Sequence, residues 1–167
     1  MGDGGNDIID GEGAADSLFG DGGFDDLRGA GGSDSLLGGA DDDSLDGGTN
    51  DDEVRGQGGA DGLFGGDGND RLNGGYGRDM LDGQWGHDAL GGRGGADELY
   101  GGSGNDEFLP GPGIDFVSGG AGDDLIYSAA GGRDRIRCGP GNDTIEADRS
   151  DRVAASCETV HRRREPS

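Results

Sequence analysis

The chain has 167 residues, of which 43 are glycine, and its 36 acidic and 13 basic residues give a formal net charge of −23. Only 29% of the residues are hydrophobic, and low hydrophobicity with high net charge is typical of chains that do not fold unaided. The sequence thus excludes a transmembrane protein, because it has no run of 18 apolar residues, and a protein that binds nucleic acid or anionic lipid, because its charge would repel them.

The negative charge is concentrated in the first three quarters of the chain. Residues 1–127 carry 29 acids against 5 arginines, or −24, and residues 128–167 carry 8 arginines against 7 acids, or +1. The expected partners of such an acidic array are cations.

Aspartate recurs at every ninth position of residues 2–127. Two residues after each aspartate stands an apolar side chain, from Ile9 to Ile126. Glycine fills the first position of every nonapeptide except the one that begins at Pro110, and it fills the fourth position in eleven. The repeated aspartates are Asp7, Asp16, Asp25, Asp34, Asp43, Asp52, Asp61, Asp70, Asp79, Asp88, Asp97, Asp106, Asp115 and Asp124.

Each nonapeptide combines a turn with a short strand. The glycines at its start allow a tight loop, and the tripeptide around the apolar residue alternates inward and outward as a strand does. Nine residues then make half a coil and eighteen a complete one, so odd-numbered and even-numbered repeats stack on opposite sides. The pattern predicts an all-β fold with two short-stranded parallel sheets.

The consensus Gly-Gly-x-Gly-x-Asp-x-apolar-x resembles the haemolysin-type calcium-binding repeat of the RTX family. The resemblance is strict over residues 2–127 and reaches about residue 146 with one slip. It implies a right-handed parallel β-roll, a type of β-solenoid, with a Ca²⁺ ion between repeats n and n+2. Fourteen repeats offer up to about twelve such pairs.

The resemblance also implies the ligands. The lower loop would give the carbonyls of its first and third positions, the upper loop those of its second and fourth, and both loops the aspartate. Asp134 and Asp143 extend the fourteen aspartates as expected ligands. The expected loop residues are Gly56, Gly58, Gly59, Gly65, Gly66, Asp67, Gly68, Gly74, Gly75, Tyr76, Gly77, Gly83, Gln84, Trp85, Gly86, Gly92, Gly94, Gly95, Gly101, Gly102 and Gly104.

Elementary electrostatics agrees with calcium. Adjacent strands of a parallel sheet lie about 4.8 Å apart, and carboxylates stacked at that spacing repel. Calcium accepts six to eight oxygen ligands in flexible geometry, whereas magnesium demands a tighter octahedron. One apolar residue per nonapeptide makes a thin core, so we expect the metal-free array to be disordered and calcium to supply folding free energy.

Four residues replace the glycine of the first or fourth position of the repeat. Asp41 and Asn50 replace the fourth-position glycine but tolerate left-handed backbone angles. Ala14 at the same position does not, which makes its loop doubtful. Pro110 leaves a carbonyl but removes a donor, so its loop is expected to change shape.

An extra residue, Ser128, breaks the phase of the repeat. We expect residues 128–160 to form degenerate repeats and a C-terminal cap, followed by a tail at residues 161–167. Arg162–Arg164 in this tail is either solvated or paired with carboxylates. The aspartate-plus-apolar pattern of the cap continues at Asp134 and Ile136 and at Asp143 and Ile145, then without glycines at Asp151 and Val153 and at Glu158 and Val160.

Cys138 and Cys157 are the two cysteines of the chain. In a secreted protein two cysteines pair naturally, so we expect a disulfide, with two free thiols as the alternative.

Other metal and enzyme motifs fit poorly. Residues 42–53 nearly match an EF-hand loop, but glycines stand where its flanking helices should be. No metalloprotease or lipase motif occurs, and His87 lies at a variable position where we expect a solvated side chain. We therefore expect no catalytic activity. The third repeat position lacks the Thr and Asn ladder expected of an ice-binding surface.

These observations predict an extracellular, monomeric, calcium-binding structural or adhesive module that stays unfolded during export. The alternative is the C-terminal portion of a larger secreted enzyme of the protease, lipase or epimerase type. No leader is visible before the first repeat, so we expect that either the leader lies outside this sequence or the sequence is a fragment. Outward Phe19, Leu37, Leu109 and Tyr127 could contact a protein or cell-surface partner.

Overall fold

A computed structural model describes residues 2, 4–128 and 131–162. Most full repeats contribute one six-residue strand, which covers the last three positions of one nonapeptide and the first three of the next. The described residues form the strands β1 (Ile8–Asp10), β2 (Ser17–Gly22), β3 (Asp26–Gly31), β4 (Ser35–Ala40), β5 (Ser44–Thr49), β6 (Glu53–Gly58), β7 (Gly62–Asp67), β8 (Arg71–Tyr76), β9 (Met80–Trp85), β10 (Ala89–Gly94), β11 (Glu98–Ser103), β12 (Glu107–Leu109), β13 (Phe116–Ala121), β14 (Leu125–Ser128), β15 (Arg135–Arg137), β16 (Thr144–Ala147), β17 (Arg152–Val153) and β18 (Thr159–Arg162).

The strands form two parallel sheets of a β-solenoid. One sheet contains the odd-numbered strands β1 to β17 in order, and the other the even-numbered strands β2 to β18. Each strand pairs with the strand one coil later, so Leu27 lies opposite Leu45 and Leu45 opposite Leu63. The predicted all-β roll with alternate repeats on alternate sheets is confirmed.

The core is the column of inward apolar residues between the two sheets. Every predicted core residue from Leu18 to Ile126 is buried, and Ile9 on the first strand is partly buried. Ile136 and Ile145 continue the two columns into the C-terminal coils. This narrow core holds the strands in register, and the turns carry the polar groups.

The second repeat position adopts a left-handed backbone even where it is not glycine. Six such residues have φ between 68° and 82°, although glycine is the usual choice for this conformation. Sequence reasoning allowed these angles to glycine and, at the fourth position, to Asp41 and Asn50, so the other side chains at the second position were missed. The six residues are Glu12, Asp21, Ala30, Gln57, Gln84 and Arg93.

The departures at the first and fourth positions behave largely as predicted. Asp41 and Asn50 have φ of 75° and 79°, which confirms that they tolerate the left-handed conformation. Ala14 has no positive φ. Pro110 follows a strand, β12, that is three residues long rather than six, because proline has no N–H for the ladder.

The phase of the coils shifts after Tyr127, as the extra residue Ser128 predicts. Coils before this point repeat at 18 residues, whereas Asp115 and Asp134 stack at a separation of 19. The final coils keep their strands, with Ile136 opposite Val153. Glycines still precede Asp134 and Asp143, whereas the last repeats, at Asp151 and Glu158, lack the glycine loops of the array.

The predicted disulfide is present between Cys138 and Cys157, whose Cα atoms lie 5.3 Å apart. It joins two segments of the final coils, and the Cys138 side is fully buried in the core. Arg162 donates to the backbone carbonyl of Asp148 at 2.6 Å. Arg163 and Arg164 lie outside the described residues.

Two further expectations bear on the class of protein. Residues 42–53 contain strand β5 and its turns rather than a helix-flanked loop, so the EF-hand interpretation is excluded. The described part of the chain has no helix with the length and apolarity that crossing a membrane requires.

Candidate metal sites

The repeated aspartates stand in two columns, one on each edge of the roll. The odd flank contains those of odd-numbered repeats, such as Asp61 and Asp79, and the even flank those of even-numbered repeats, such as Asp70 and Asp88. From Asp25 onwards these aspartates are almost completely shielded from solvent. The two ladders predicted from the sequence are therefore present, and they are buried.

From Asp25 onwards, one carboxylate oxygen of each repeated aspartate accepts a hydrogen bond from the backbone. The N–H of Asp61 donates to Oδ1 of Asp79 at 3.0 Å, and the N–H of Asp70 donates to Oδ1 of Asp88 at 2.8 Å. The same bond recurs along both flanks between residues 18 apart. Each carboxylate thus ties its own coil to the preceding one.

The second oxygen, Oδ2, is buried and accepts no hydrogen bond at fourteen aspartates. A buried carboxylate oxygen without a donor is strongly destabilising unless a cation compensates it. These unbonded oxygens belong to Asp16, Asp25, Asp34, Asp43, Asp52, Asp61, Asp70, Asp79, Asp88, Asp97, Asp106, Asp115, Asp124 and Asp143.

The first-position glycine leaves room beside Oδ2. A Cβ atom added at Gly56 would lie 2.2 Å from Oδ2 of Asp61 and 2.7 Å from the carbonyl oxygen of Gly74 in the next coil. The same two kinds of oxygen surround the missing Cβ at Gly65 and Gly83. A carboxylate oxygen and a carbonyl oxygen therefore face one small space between successive coils.

Carbonyl groups of both coils are directed into the gap between them. Second- and fourth-position carbonyls point to the following coil, because a Cβ at Gly75 or Gly77 would lie 2.1 Å from the oxygen of Gln57 or 1.6 Å from that of Gly59. Third-position carbonyls point to the preceding coil, since the backbone carbonyl of Tyr76 accepts a hydrogen bond from the N–H of Gly59. With the N-terminal coil taken as the lower one, this is the reverse of the expected assignment to lower and upper loops.

Burial raises the pKa of the ladder carboxyls from Asp43 to Asp124. Desolvation is the largest cause, and it raises the pKa of Asp52, Asp61 and Asp88 to about 7 even though a backbone N–H to each carboxylate acts in the opposite direction. Stacked neighbours raise it further, as Asp70 and Asp34 do for Asp52. Without a cation these groups would retain protons near neutral pH.

Asp134 and Asp143, both predicted ligands, differ from each other. Oδ2 of Asp143 lacks a donor, like the aspartates of the array. Oδ2 of Asp134 instead accepts a hydrogen bond of 2.5 Å from the hydroxyl of Ser128. Sequence reasoning gave Ser128 no role beyond breaking the phase.

A second, exposed ladder runs along the even flank at the fifth repeat position. Here a side chain accepts from the fifth-position N–H of the next coil: Oδ1 of Asn69 accepts from His87, Nδ1 of His87 from Asn105, and Oδ1 of Asn105 from Asp123. His87 is exposed as predicted, but it also belongs to this ladder. The signal in the sequence was the recurrence of Asn and Asp before the ladder aspartates.

The outward residues predicted as a contact patch do not form one surface. Phe19 and Leu37 are opposite each other on the even sheet, and Arg55, Asn73 and Gly91 separate them from the other pair. Leu109 and Tyr127 line an open groove on the same face.

A protein-family model described as the RTX calcium-binding nonapeptide repeat (4 copies) matches this chain. The chain belongs to the RTX calcium-binding repeat family. The resemblance stated from the consensus is thereby confirmed, and the β-roll binds calcium. A search of curated proteins finds no match. The family matches cover residues 1–27, 28–63, 55–90, 64–99, 86–117, 100–132, 109–145 and 128–151.

The donor set of the RTX roll suits calcium. No group of three or more His, Cys, Asp or Glu side chains suited to hold a metal occurs within the described ranges. The gaps between coils offer one unbonded carboxylate oxygen together with backbone carbonyls. Hard, mostly neutral oxygen donors in a flexible loop are what calcium accepts, whereas softer metals prefer imidazole or thiolate.

Proposed function

We propose that this RTX β-roll is a calcium-triggered folding unit that serves outside the cell as a structural or adhesive module. The observation that carries the proposal is the set of fourteen buried, unbonded Oδ2 atoms. Two columns of desolvated carboxylates destabilise the roll, and a cation between successive coils removes that cost by supplying the missing partner.

Each ion is proposed to lie between repeats n and n+2 on one flank. The ladder aspartate of the N-terminal coil contributes Oδ2, and the first four positions of the two loops contribute carbonyls. Residues 56–104 hold the most regular of these loops. Up to about twelve ions fit fourteen repeats, and their positive charge would offset the charge of −24 carried by residues 1–127.

We propose that residues 2–127 form the calcium-loaded array and that residues 128–160 form a cap. The cap has a disulfide, which supports an oxidising, extracellular setting. Extracellular calcium modules bind in the range of about 0.1–1 mM, so the roll would remain unfolded at cytosolic calcium and fold after export.

Far-UV circular dichroism of the purified chain tests the proposal. In excess EGTA we expect the spectrum of a disordered chain, and a β spectrum that grows cooperatively as calcium reaches the millimolar range. Magnesium at the same concentrations is the matched control and should restore little structure. A full β spectrum in EGTA would contradict calcium-triggered folding.

The full reading frame distinguishes a free-standing module from the C-terminal portion of a secreted enzyme. We propose a non-catalytic, monomeric module, and an upstream hydrolase domain in the same frame would overturn it. Calcium binding would hold in either case.

A further inference from the structure

Ser128, the residue that breaks the phase of the repeats, is fully buried beside two carboxylates. Its hydroxyl donates to Oδ2 of Asp134 at 2.5 Å and lies 3.4 Å from Oδ2 of Asp151 in the next coil of the odd flank. Within the array, the corresponding Oδ2 atoms, such as that of Asp115, accept no hydrogen bond.

All four carboxylate oxygens of this last pair have donors. Oδ1 of Asp134 accepts from the N–H of Asp115 at 2.9 Å, and Oδ1 of Asp151 accepts from the N–H of Asp134 at 3.1 Å. Oδ2 of Asp151 also accepts from the N–H of Asp148 at 2.6 Å. No buried oxygen of the pair is left for a cation to compensate.

The charge of this region leads to the same conclusion. Residues 128–162 contain six arginines and six acids, so their formal charge is zero, whereas residues 1–127 carry −24. The coil of Asp151 also lacks the glycine loop that directs carbonyls between coils elsewhere. The residues at this position therefore do not fit a calcium ion.

We propose that Ser128 ends the calcium ladder of the odd flank, its hydroxyl taking the place of the ion between the coils of Asp134 and Asp151. On the even flank the ladder extends as far as Asp143, whose Oδ2 is unbonded. The proposal rests on the proposed calcium ladders, and it replaces the expectation that the coil of Asp134 begins another calcium site.

Calcium counting on the full chain tests this assignment. Equilibrium dialysis followed by elemental analysis gives ions bound per chain for the wild type, Asp151→Asn and the control Asp97→Asn, which alters an unbonded ladder aspartate of the same flank. We expect Asp151→Asn to bind as many ions as the wild type and Asp97→Asn at least one fewer. Loss of an ion in Asp151→Asn overturns the proposal, whereas a wild type that binds no calcium overturns the proposed function instead.

Thermal unfolding of the calcium-loaded chain gives a second, independent test. Ser128→Ala should lower the unfolding midpoint by several degrees, because Oδ2 of Asp134 loses its donor. Ser128→Thr, which keeps the hydroxyl, should recover part of the loss, and Ser44→Ala on an exposed strand position should change little. An unchanged midpoint in Ser128→Ala contradicts the role of the hydroxyl.

Discussion

Glycine is required at the first position of the nonapeptide because a Cβ atom would not fit there. A carboxylate oxygen of its own repeat and a carbonyl of the next coil approach the position where any other residue has its Cβ atom. The glycine is thus required by close approach rather than by backbone angle, since Gly56 has no positive φ. A methyl group there would displace an oxygen proposed to hold calcium.

Replacement of Gly56 by alanine should therefore destabilise the calcium-loaded roll by about 1–3 kcal/mol, the usual cost of overpacking. It should also raise the calcium concentration at the folding midpoint. Urea unfolding and calcium titration followed by circular dichroism measure the two effects. Gly58→Ala is the matched control, because a Cβ there would meet only the carbonyl of Gly39 at 4.0 Å. Equal losses in both variants would contradict the steric explanation.

At this scale the sequence identified the aspartates that stack and the apolar residues that are buried, but not the roles of individual oxygen atoms. Periodicity alone was enough to find the aspartates and the inward apolar residues. It could not show that Oδ1 bonds to the preceding coil while Oδ2 remains free, because that choice depends on contacts between residues 18 apart. For the same reason, the hydroxyl of Ser128 was not recognised as a partner of Asp134.

Strands and turns are held together along the roll by bonds that cross from coil to coil. The sheets do this through their ladders, and the turns through Oδ1 and the fifth-position side chains. Even at Pro110, where the strand is shortened, the next ladder bond from Asp97 to Asp115 is kept at 2.9 Å. A local defect in one loop is therefore contained by its neighbours.

His87 offers a test of the exposed ladder on the even flank. In His87→Ala the N–H of Asn105 loses its side-chain acceptor, which should cost about 0.5–1 kcal/mol in the calcium-loaded chain. His87→Asn should retain the wild-type stability, because asparagine is the acceptor at residues 69 and 105. Urea unfolding compares the three proteins, and a similar loss in the asparagine variant would show that the ladder does not depend on the acceptor.

The disulfide is expected to stabilise the final coils. Its cysteines are 19 residues apart, and closing a loop of this size is worth about 3 kcal/mol. Urea unfolding in calcium, with and without a reductant, should show a lower midpoint for the reduced protein. A double variant with serine at both cysteines serves as the control and should be insensitive to the reductant. An unchanged midpoint in the reduced wild type would be contrary to this expectation.

Element boundaries were largely predictable because the repeat marks them nine residues at a time. The phase break and the strands of the cap followed from spacing, and the disulfide from the presence of two cysteines in a chain expected to be secreted. The left-handed backbone at Gln57, Gln84 and Arg93 did not, since intrinsic preference alone would assign it to glycine. Stacking between coils imposes that conformation on whatever residue is present.

The stability of the whole molecule depends on how the charge of its closely stacked carboxylates is neutralised, by protons or by calcium. Burial raises the pKa of Asp43, Asp70, Asp79 and Asp115 to about 6, and of Asp124 to about 7, so protons and calcium compete for the same carboxylates. A carboxyl whose pKa is raised on folding stabilises the roll at pH below its unfolded value of 3.8. That contribution is lost as the pH rises through the folded pKa.

Acidification should therefore have opposite effects on the two forms. Between about pH 7 and pH 4 the metal-free chain should gain ordered structure as its carboxyls become protonated. Over the upper part of that range the calcium midpoint should rise, because each ion must displace protons. Calcium titrations at several pH values, followed by circular dichroism, measure both trends. A midpoint that does not vary with pH would contradict competition at the ladder aspartates.

The alternation of repeats between two flanks also sets the unit by which such a chain can change length. Loss or gain of 18 residues removes or adds a whole coil, and every later aspartate remains above one of its own column. A change of nine residues would transfer all later repeats to the opposite flank, so that His87 and Asn105 would stack on the side now occupied by Asp42 and Ala60. The unit that can be lost or gained without disturbing the stacking is therefore a pair of nonapeptides, although the sequence repeats every single nonapeptide.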